Sequence, residues 1–323
     1  MNRNRTASEI LSQAPDREAF REHVRAGLTA ARKWLSPMYL YDRQGSALFD
    51  RICELPEYYP TRTETAILQA HERDIARVVG PGAMVIEPGS GSGAKTRMLL
   101  EMLEEPVAFV PVEISRDYLD ESLPGLRAAF PDLEILGVHG DFSEPFGIPR
   151  SQRPPRRRLI FFPGSTIGNF VPDEAIALLA HLREQAGPGG GMLIGVDLRK
   201  DPEILERAYD DTQGVTAEFN LNLLDRMNRE LGTDFRREHF RHQALWNEAD
   251  SRIEMHLVST RDQTVHLDEL AITFARDESI LSECSHKFSR EGFGELAREA
   301  GWRVVRVWTD PEEWFSLQYL EPA

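Results

Sequence analysis

MVIEPGSGSGAK, Met84 to Lys95, decides the fold. A short apolar run, Met84-Val85-Ile86, meets an acid, Glu87, and then a turn that carries Gly89, Gly91 and Gly93. Helical spacing follows in KTRMLLEMLEE. Strand, glycine turn and helix bring backbone N–H groups to a nucleotide-like ligand at the N-terminal end of a helix. Glycine is needed because a β-carbon blocks that approach and because such turns use positive φ.

Three nucleotide-like ligands compete for this turn. A dinucleotide fingerprint wants G-x-G-x-x-G, and the spacing here is G-x-G-x-G. A phosphate-binding P-loop wants glycine before Lys-Ser/Thr, and Lys95-Thr96 follows Ala94. The later apolar run LIFFP (159–163) also lacks the magnesium-binding Asp of an NTPase. S-adenosylmethionine (SAM) has no phosphate and needs no lysine cradle. It needs a turn that admits its amino-acid end and an acid for its ribose, and E-x-G-x-G-x-G supplies that shape.

Outward from the turn, strands and helices alternate. Upstream, residues 1–8 read as frayed, and a helical pattern runs from Glu9 to Leu35 with a break near Pro15. Thr61 to Glu64 reads as a capping box that starts a helix reaching Val79, which Gly80-Pro81-Gly82 stops. Strands are expected at 83–87, 107–113, 133–139, 158–163 and 192–198, with helices at 94–104 and 173–186 and a helical stretch from Ser115 that Pro124 interrupts. Near-continuous apolar strands separated by helices indicate a buried parallel sheet covered on both faces. After Leu198 the rhythm changes to helical segments, then to period-two strands at 240–246, 251–260, 263–267 and 270–274. A helix at 290–300 and strands at 302–308 and 314–320 close the chain. The fold class is thus α/β, a Rossmann-like domain beside a second, α+β domain.

Composition narrows the function. The 323 residues suffice for two modest domains, and a net charge of −15 disfavours nucleic acid, whose phosphates need a basic footprint. PPRRR (154–158) reads as a solvated loop on so acidic a chain. Cys53 and Cys284, far apart, make neither a disulfide framework nor a metal cluster, which fits a reducing compartment. His239 and His242 lack a third ligand nearby, so no metal is expected. No apolar run is long enough to span a membrane, and MNRNRTASEI lacks a signal-peptide core, so the expected location is the cytoplasm. With no coiled coil or sticky patch in view, a monomer is expected.

A ligand on an open parallel sheet sits beyond the carboxyl ends of the strands. Those ends carry Glu87 and the glycines, then Glu113 for ribose hydroxyls, then Asp141-Phe142 for the adenine amino group and ring face, then Gly164 to Asn169. Together they favour SAM. The paired tyrosines Tyr39/Tyr41 and Tyr58/Tyr59 are unusual in a polar linker and read first as anchors to the core.

Four longer stretches go further. YDRQGSALFDRICELPEYYPTRTE, FFPGSTIGNF, KDPEILERAYDDTQGVTAEFNLNLL and LSECSHKF closely resemble the histidine Nα-methyltransferases of ergothioneine biosynthesis, the EgtD family, over residues 38–320. The resemblance implies SAM-dependent trimethylation of the α-amine of L-histidine to hercynine, with S-adenosylhomocysteine as the spent cofactor. It implies a methyltransferase domain at 62–199 and a substrate-binding domain built from 10–61 and 200–321. It places the cofactor on Tyr41, Gly89, Lys95, Glu113, Asp141 and Phe142, with Glu113 where the family is expected to carry Asp. It places histidine on Tyr58, Gly164, Asn169, Tyr209, Met255, Glu283 and Ser285, with Tyr41, Gly164 and Asn169 nearest the chemistry. The residue types suit the roles. Glu283 and Ser285 lie two apart, so in an extended segment they share a face, and an acid with a hydroxyl can read the N–H and the acceptor nitrogen of an imidazole. Asn169 and Tyr209 can hold the α-amine and carboxylate. Three further readings stay open: tryptophan or tyrosine as the acceptor, an ATP-binding protein using GSGSGAKT, and a SAM-binding regulator without catalysis.

Overall fold

A computed structural model of the chain describes residues 11–13, 17–91 and 93–323. The frayed segment expected at 1–8 and the break near Pro15 lie outside the described residues. In chain order the elements are β1 (Leu11–Gln13), α1 (Arg17–Thr29), β2 (Lys33–Trp34), α2 (Arg43–Cys53), α3 (Tyr59–Ala70), α4 (Glu72–Val79), β3 (Ala83–Pro88), α5 (Ala94–Met102), β4 (Ala108–Glu113), α6 (Arg116–Ala129), β5 (Glu134–Ile135), β6 (Val138–Gly140), β7 (Arg157–Phe162), α7 (Pro172–Ala186) and β8 (Gly191–Asp197). There follow α8 (Pro202–Tyr209), α9 (Val215–Leu231), β9 (Phe240–Asn247), β10 (Arg252–Ser259), β11 (Gln263–Leu267), β12 (Leu270–Phe274), β13 (Ser279–His286), α10 (Arg290–Glu299), β14 (Trp302–Thr309) and β15 (Phe315–Pro322).

The main sheet runs β1-β6-β4-β3-β7-β8-β15-β14, with β5 beside β4. From β1 to β8 every pairing is parallel. β3 is buried along its whole length. Its side chains alternate between two cores: Met84 and Ile86 join one, Ala83 and Val85 the other. That is why its sequence is apolar without alternation. From β3 the chain steps to β4 and β6 on one side, then returns to β7 and β8 on the other. The crevice of an open α/β sheet lies at that reversal, on the carboxyl side.

A separate core gathers side chains from 20–59 and 205–280 around a second sheet, β2-β13-β10-β9, and the hairpin β11–β12. The residues expected in the substrate-binding part do not stay together. β15 pairs antiparallel with β8 and β14 with β15, so the last strands complete the main sheet. Phe293 and Ala297 of α10 pack in the core of that sheet.

The structure departs from the local expectations in five places. Leu11–Gln13 is a strand on β6, not helix, and Lys33–Trp34 pairs with β13. Thr61 and Glu64 are no capping box: Tyr58 precedes the helix, and Glu64 is fully buried one turn inside it. The helix expected to reach Val79 is two helices that meet at His71. Pro124 does not interrupt α6, because Leu119, Leu123 and Leu126 bury one face of that helix against the sheet and offset the lost hydrogen bond. β13 was not among the expected strands, although its Glu283-to-Ser285 stretch was read as extended.

Candidate functional site

The glycine turn is built from backbone. Gly89, Gly91 and Gly93 have φ of +69°, +48° and +72°, the left-handed region in which other side chains are strained. A β-carbon on Gly89 would stand 3.3 Å from the Phe142 ring, whereas nothing lies within 4 Å of one on Gly91. The turn therefore offers an open side, edged by an aromatic ring. Phe142 is held edge-on by Phe162 and Phe170. Glu113 ends β4, almost buried, and accepts from the Ser115 N–H at 3.1 Å. Burial raises its pKa, while backbone N–H groups of Ser115, Gly91 and Ile114 pull it down, so the carboxylate touches the glycine turn itself. Asp141 follows β6 and accepts from Ser143 N and Oγ at 2.8 and 2.6 Å. A cavity of about 220 Å³ borders Tyr41, Ile114, Ser115 and His139, just beyond these strand ends.

Lys95 is paired with an acid. Its Nζ lies 2.5 Å from Glu64, which also accepts from the Gly164 N–H at 2.8 Å. The first turn of α5 is thereby tied to the loop after β7. A β-carbon on Gly195 would fall 2.0 Å from the Glu64 carboxylate, so that glycine in β8 makes room for the acid. Glu87 accepts from Thr96 Oγ1 at 2.5 Å, and burial pushes its pKa up to about 8. An open glycine turn, an acid at the second strand end and a ring at the third fit SAM.

The opposite wall is made of side chains from distant segments. After β7, Gly164 has φ +79° and Ser165 +57°, and Ser165 Oγ accepts from the Asp197 N–H at 2.9 Å. A β-carbon at Gly164 would meet Lys95 at 3.5 Å, ordinary contact, so its backbone angle, not want of space, is what calls for glycine. At Gly168 space does decide: a β-carbon would stand 2.8 Å from the His286 carbonyl. This close approach docks the loop on β13 and lets Asn169 Nδ2 donate to Glu283 Oε1 at 3.0 Å. Glu283 is 8% exposed. Burial pushes its pKa up to about 7 against the pull of Lys287 and the Asn169 bond.

Met255, on β10, lies directly opposite Glu283 in the antiparallel register, where the ladder shifts at Met255/His256. Tyr209 ends α8, and its hydroxyl donates to Ser285 Oγ at 2.8 Å. Tyr58 meets Tyr209 and Phe49 ring edge to face, and Tyr41 meets Phe49 and Phe219 in the same way. Burial raises the Tyr41 pKa, and the carboxylates of Glu283 and Glu113 raise it further. Tyr41 thus lies within electrostatic reach of both walls.

The structure therefore brings Glu283, Ser285, Asn169, Tyr209, Met255 and Tyr58 together beyond β7, and Gly89, Glu113 and Phe142 together beyond β3 and β4. Lys95 and Gly164 meet between them through Glu64. Of the tyrosine pairs, Tyr39 stacks on Phe20 at 4.1 Å and Tyr59 donates to Asp197, and all four tyrosines pack in or against the core, as first read. Sequence reasoning named Tyr209, whose hydroxyl is bonded in the Ser285 group. It missed Glu64, Asp197 and Lys287. Lys287 was within reach: it continues the alternation of Glu283 and Ser285 on the same face. Among the described residues no group of three or more potential ligands could hold a metal ion.

A family profile described as "Histidine-specific methyltransferase, SAM-dependent" matches residues 20–322. The histidine N-alpha-methyltransferase of Mycolicibacterium smegmatis is 44% identical over 93% of this chain and 94% of its own length. That of Mycobacterium tuberculosis is 42% identical, again over 93% and 94%. A solved structure, the CcbJ methyltransferase from Streptomyces caelestis, is 15% identical, with a TM-score of 0.46 over 80% of this chain and 96% of that one. With a glycine turn shaped for SAM, an acid and a hydroxyl spaced on one face of β13, and a match spanning nearly the whole chain, the protein belongs to the SAM-dependent, histidine-specific methyltransferase family.

Proposed function

We propose that this protein is an L-histidine Nα-methyltransferase that carries its substrate through three methyl transfers to hercynine, the first step of ergothioneine biosynthesis. The observation that carries the reading is the Asn169–Glu283 hydrogen bond at 3.0 Å, which sets a buried acid suited to a ring N–H against the loop that faces the cofactor turn. The two cores support a division into a methyltransferase part at 62–199 completed by 290–321 and a substrate part from 10–61 and 200–289.

The cofactor, when bound, supplies a methyl group already activated on a positively charged sulfur. The protein's task is then alignment. Glu283 takes a ring N–H and Ser285 faces the other ring nitrogen. Tyr58 and Met255 wall the ring. Asn169, its amide nitrogen spent on Glu283, presents its oxygen to an amine N–H. Tyr41 stands between the substrate and cofactor walls. Making the α-amine neutral near pH 7 costs about 1–3 kcal/mol, which a neighbouring positive charge reduces, so no single essential base is required. We read the enzyme as a cytoplasmic monomer that uses no metal. The acidic surface and the two separated cysteines are consistent with that reading.

Titration calorimetry with histidine, alone and with S-adenosylhomocysteine, followed by mass spectrometry of the product, tests the reading. Histidine is expected to bind and to gain three methyl groups. Tight binding of tryptophan or tyrosine with no histidine turnover would transfer the activity to another amino acid, and SAM binding without any methyl transfer would leave a regulator.

A further inference from the structure

Behind Ser285 lies a buried ion cluster that no role assigned above uses. β8 ends at Asp197, and the segment after β13 runs alongside it: Phe288 N donates to the Asp197 carbonyl at 3.0 Å, and Leu198 and Phe288 form a parallel bridge. This puts the Lys287 ammonium 2.8 Å from the Asp197 carboxylate, with both side chains fully buried. Lys200 and the Tyr59 hydroxyl reach the same carboxylate. Burial works against all these charges. Even so, Asp197 keeps a pKa below the usual range because Lys287 and Lys200 face it, and Lys287 keeps one above its own because Asp197 and Tyr209 face it. Lys200 is the member that yields, with a pKa lowered to about 8 by burial. Lys287 is therefore the persistent cation.

Its three N–H groups have three destinations. One is Asp197, one is Ser285 Oγ at 2.7 Å, and one is the Tyr209 hydroxyl at 2.9 Å. A serine hydroxyl has two acceptor lone pairs and one donor hydrogen. Lys287 fills one lone pair of Ser285 and Tyr209 fills the other. Only the hydrogen is left for a ligand. Without the lysine, Ser285 could either accept or donate, and could tolerate a ring N–H or a C–H.

We propose that Lys287, held in place by Asp197, is a positioning residue that makes Ser285 an obligate hydrogen-bond donor and so admits only a ring bearing an acceptor nitrogen there and an N–H at Glu283. The inference rests on the histidine reading and deepens it, because it says that the site selects one neutral tautomer of the imidazole. A buried donor left without a partner is penalised heavily, so an analogue lacking the acceptor is rejected.

The test compares histidine with a pyrrolylalanine, which keeps a ring N–H and carries C–H in place of the acceptor nitrogen. Calorimetric Kd and steady-state kcat and KM are measured for the wild type, Lys287→Gln and Lys287→Met. The wild type is expected to prefer histidine by about tenfold or more. Lys287→Gln, which can still donate to Ser285, is expected to keep most of that preference. Lys287→Met is expected to lower it to about threefold or less, with a raised KM for histidine and little change in kcat. A Lys287→Met protein that retains the wild-type ratio overturns the proposal. If the wild type neither binds nor methylates histidine, the functional reading fails instead, and the two failures are distinct. Should Lys287→Met not fold, ¹⁵N spectra of ring-labelled histidine on the wild-type protein decide. One pyridine-type and one pyrrole-type nitrogen near neutral pH uphold the proposal, and an imidazolium or a mixture of tautomers refutes it.

Discussion

The wall beyond β3 and the wall beyond β7 face one ligand space, and they are made of different material. The first is mostly contiguous sequence and backbone: three glycines in one left-handed turn, with an acid and a ring supplied by the next two strand ends. The second is mostly side chain. Its parts come from residues 58, 169, 209, 255 and 283–287, joined by hydrogen bonds between groups far apart in sequence, Asn169 with Glu283 across 114 positions and Tyr209 with Ser285 across 76. A backbone site recognises what all its ligands share and tolerates little change in main-chain angle. A side-chain site recognises what is particular to one ligand and can be altered one group at a time.

That contrast can be broken most severely where the two walls meet. Gly168→Val would drive a side chain into the His286 carbonyl and separate the Asn169 loop from β13. Histidine kcat/KM is expected to fall by about a hundredfold or more, the scale of misplaced catalytic geometry, with S-adenosylhomocysteine affinity changed far less. Equal loss of both would show that the walls are not separable. Glu283→Ala acts on one wall alone. Removing a charged acceptor from a buried N–H is worth about 1.5–3 kcal/mol, so histidine KM should rise on the order of ten- to a hundredfold while cofactor Kd stays constant. An unchanged KM would discard the imidazole assignment.

The pH dependence is a finer probe. With its pKa pushed up to about 7, Glu283 loses charge on mild acidification, so kcat/KM for histidine should decline below about pH 7. In Glu283→Gln that contribution disappears and only the titration of histidine's own ring remains. If the acid limb is identical in both, some other group sets it. The cofactor wall is probed through stability rather than turnover. Glu87 has a folded pKa of about 8 against an unfolded reference of 4.5, so its contribution to stability is full below the unfolded value and is lost as pH rises through the folded one. Thermal stability should therefore drift downward between about pH 4.5 and 8, and Glu87→Gln, which imitates the neutral acid, should flatten that drift. A variant that melts in parallel with the wild type across this window would show that Glu87 is ionised after all.

The same contrast explains what could be read in advance. The parallel-sheet rule, applied to strand ends, reached Glu113 and Phe142 because each is fixed by its own strand. Glu64 was misread because T-x-x-E has a strong local meaning, while its actual partners, Lys95 and the Gly164 N–H, are 31 and 100 positions away. Lys33–Trp34 was taken for helix because two residues carry no period, and it is a strand only because β13 lies beside it. Glu283, Met255 and Tyr209 came through resemblance, since an isolated acid on a strand or a buried methionine has no local sign of its use. Lys287 carries one local sign, its two-residue spacing from Ser285, but its use as a buried cation makes sense only once Asp197 is known to face it.

One consequence follows from the closing hairpin. β8 is complete at Asp197, but its outer neighbour β15 does not begin until Phe315. During synthesis the ribosome needs on the order of ten seconds to deliver that partner. Throughout that interval Met192 to Asp197 present an apolar, unsatisfied rim to any passing chain, the circumstance in which nascent polypeptides misassociate. Deleting β14 and β15 should therefore cost soluble yield in the cell before it touches the chemistry of either wall.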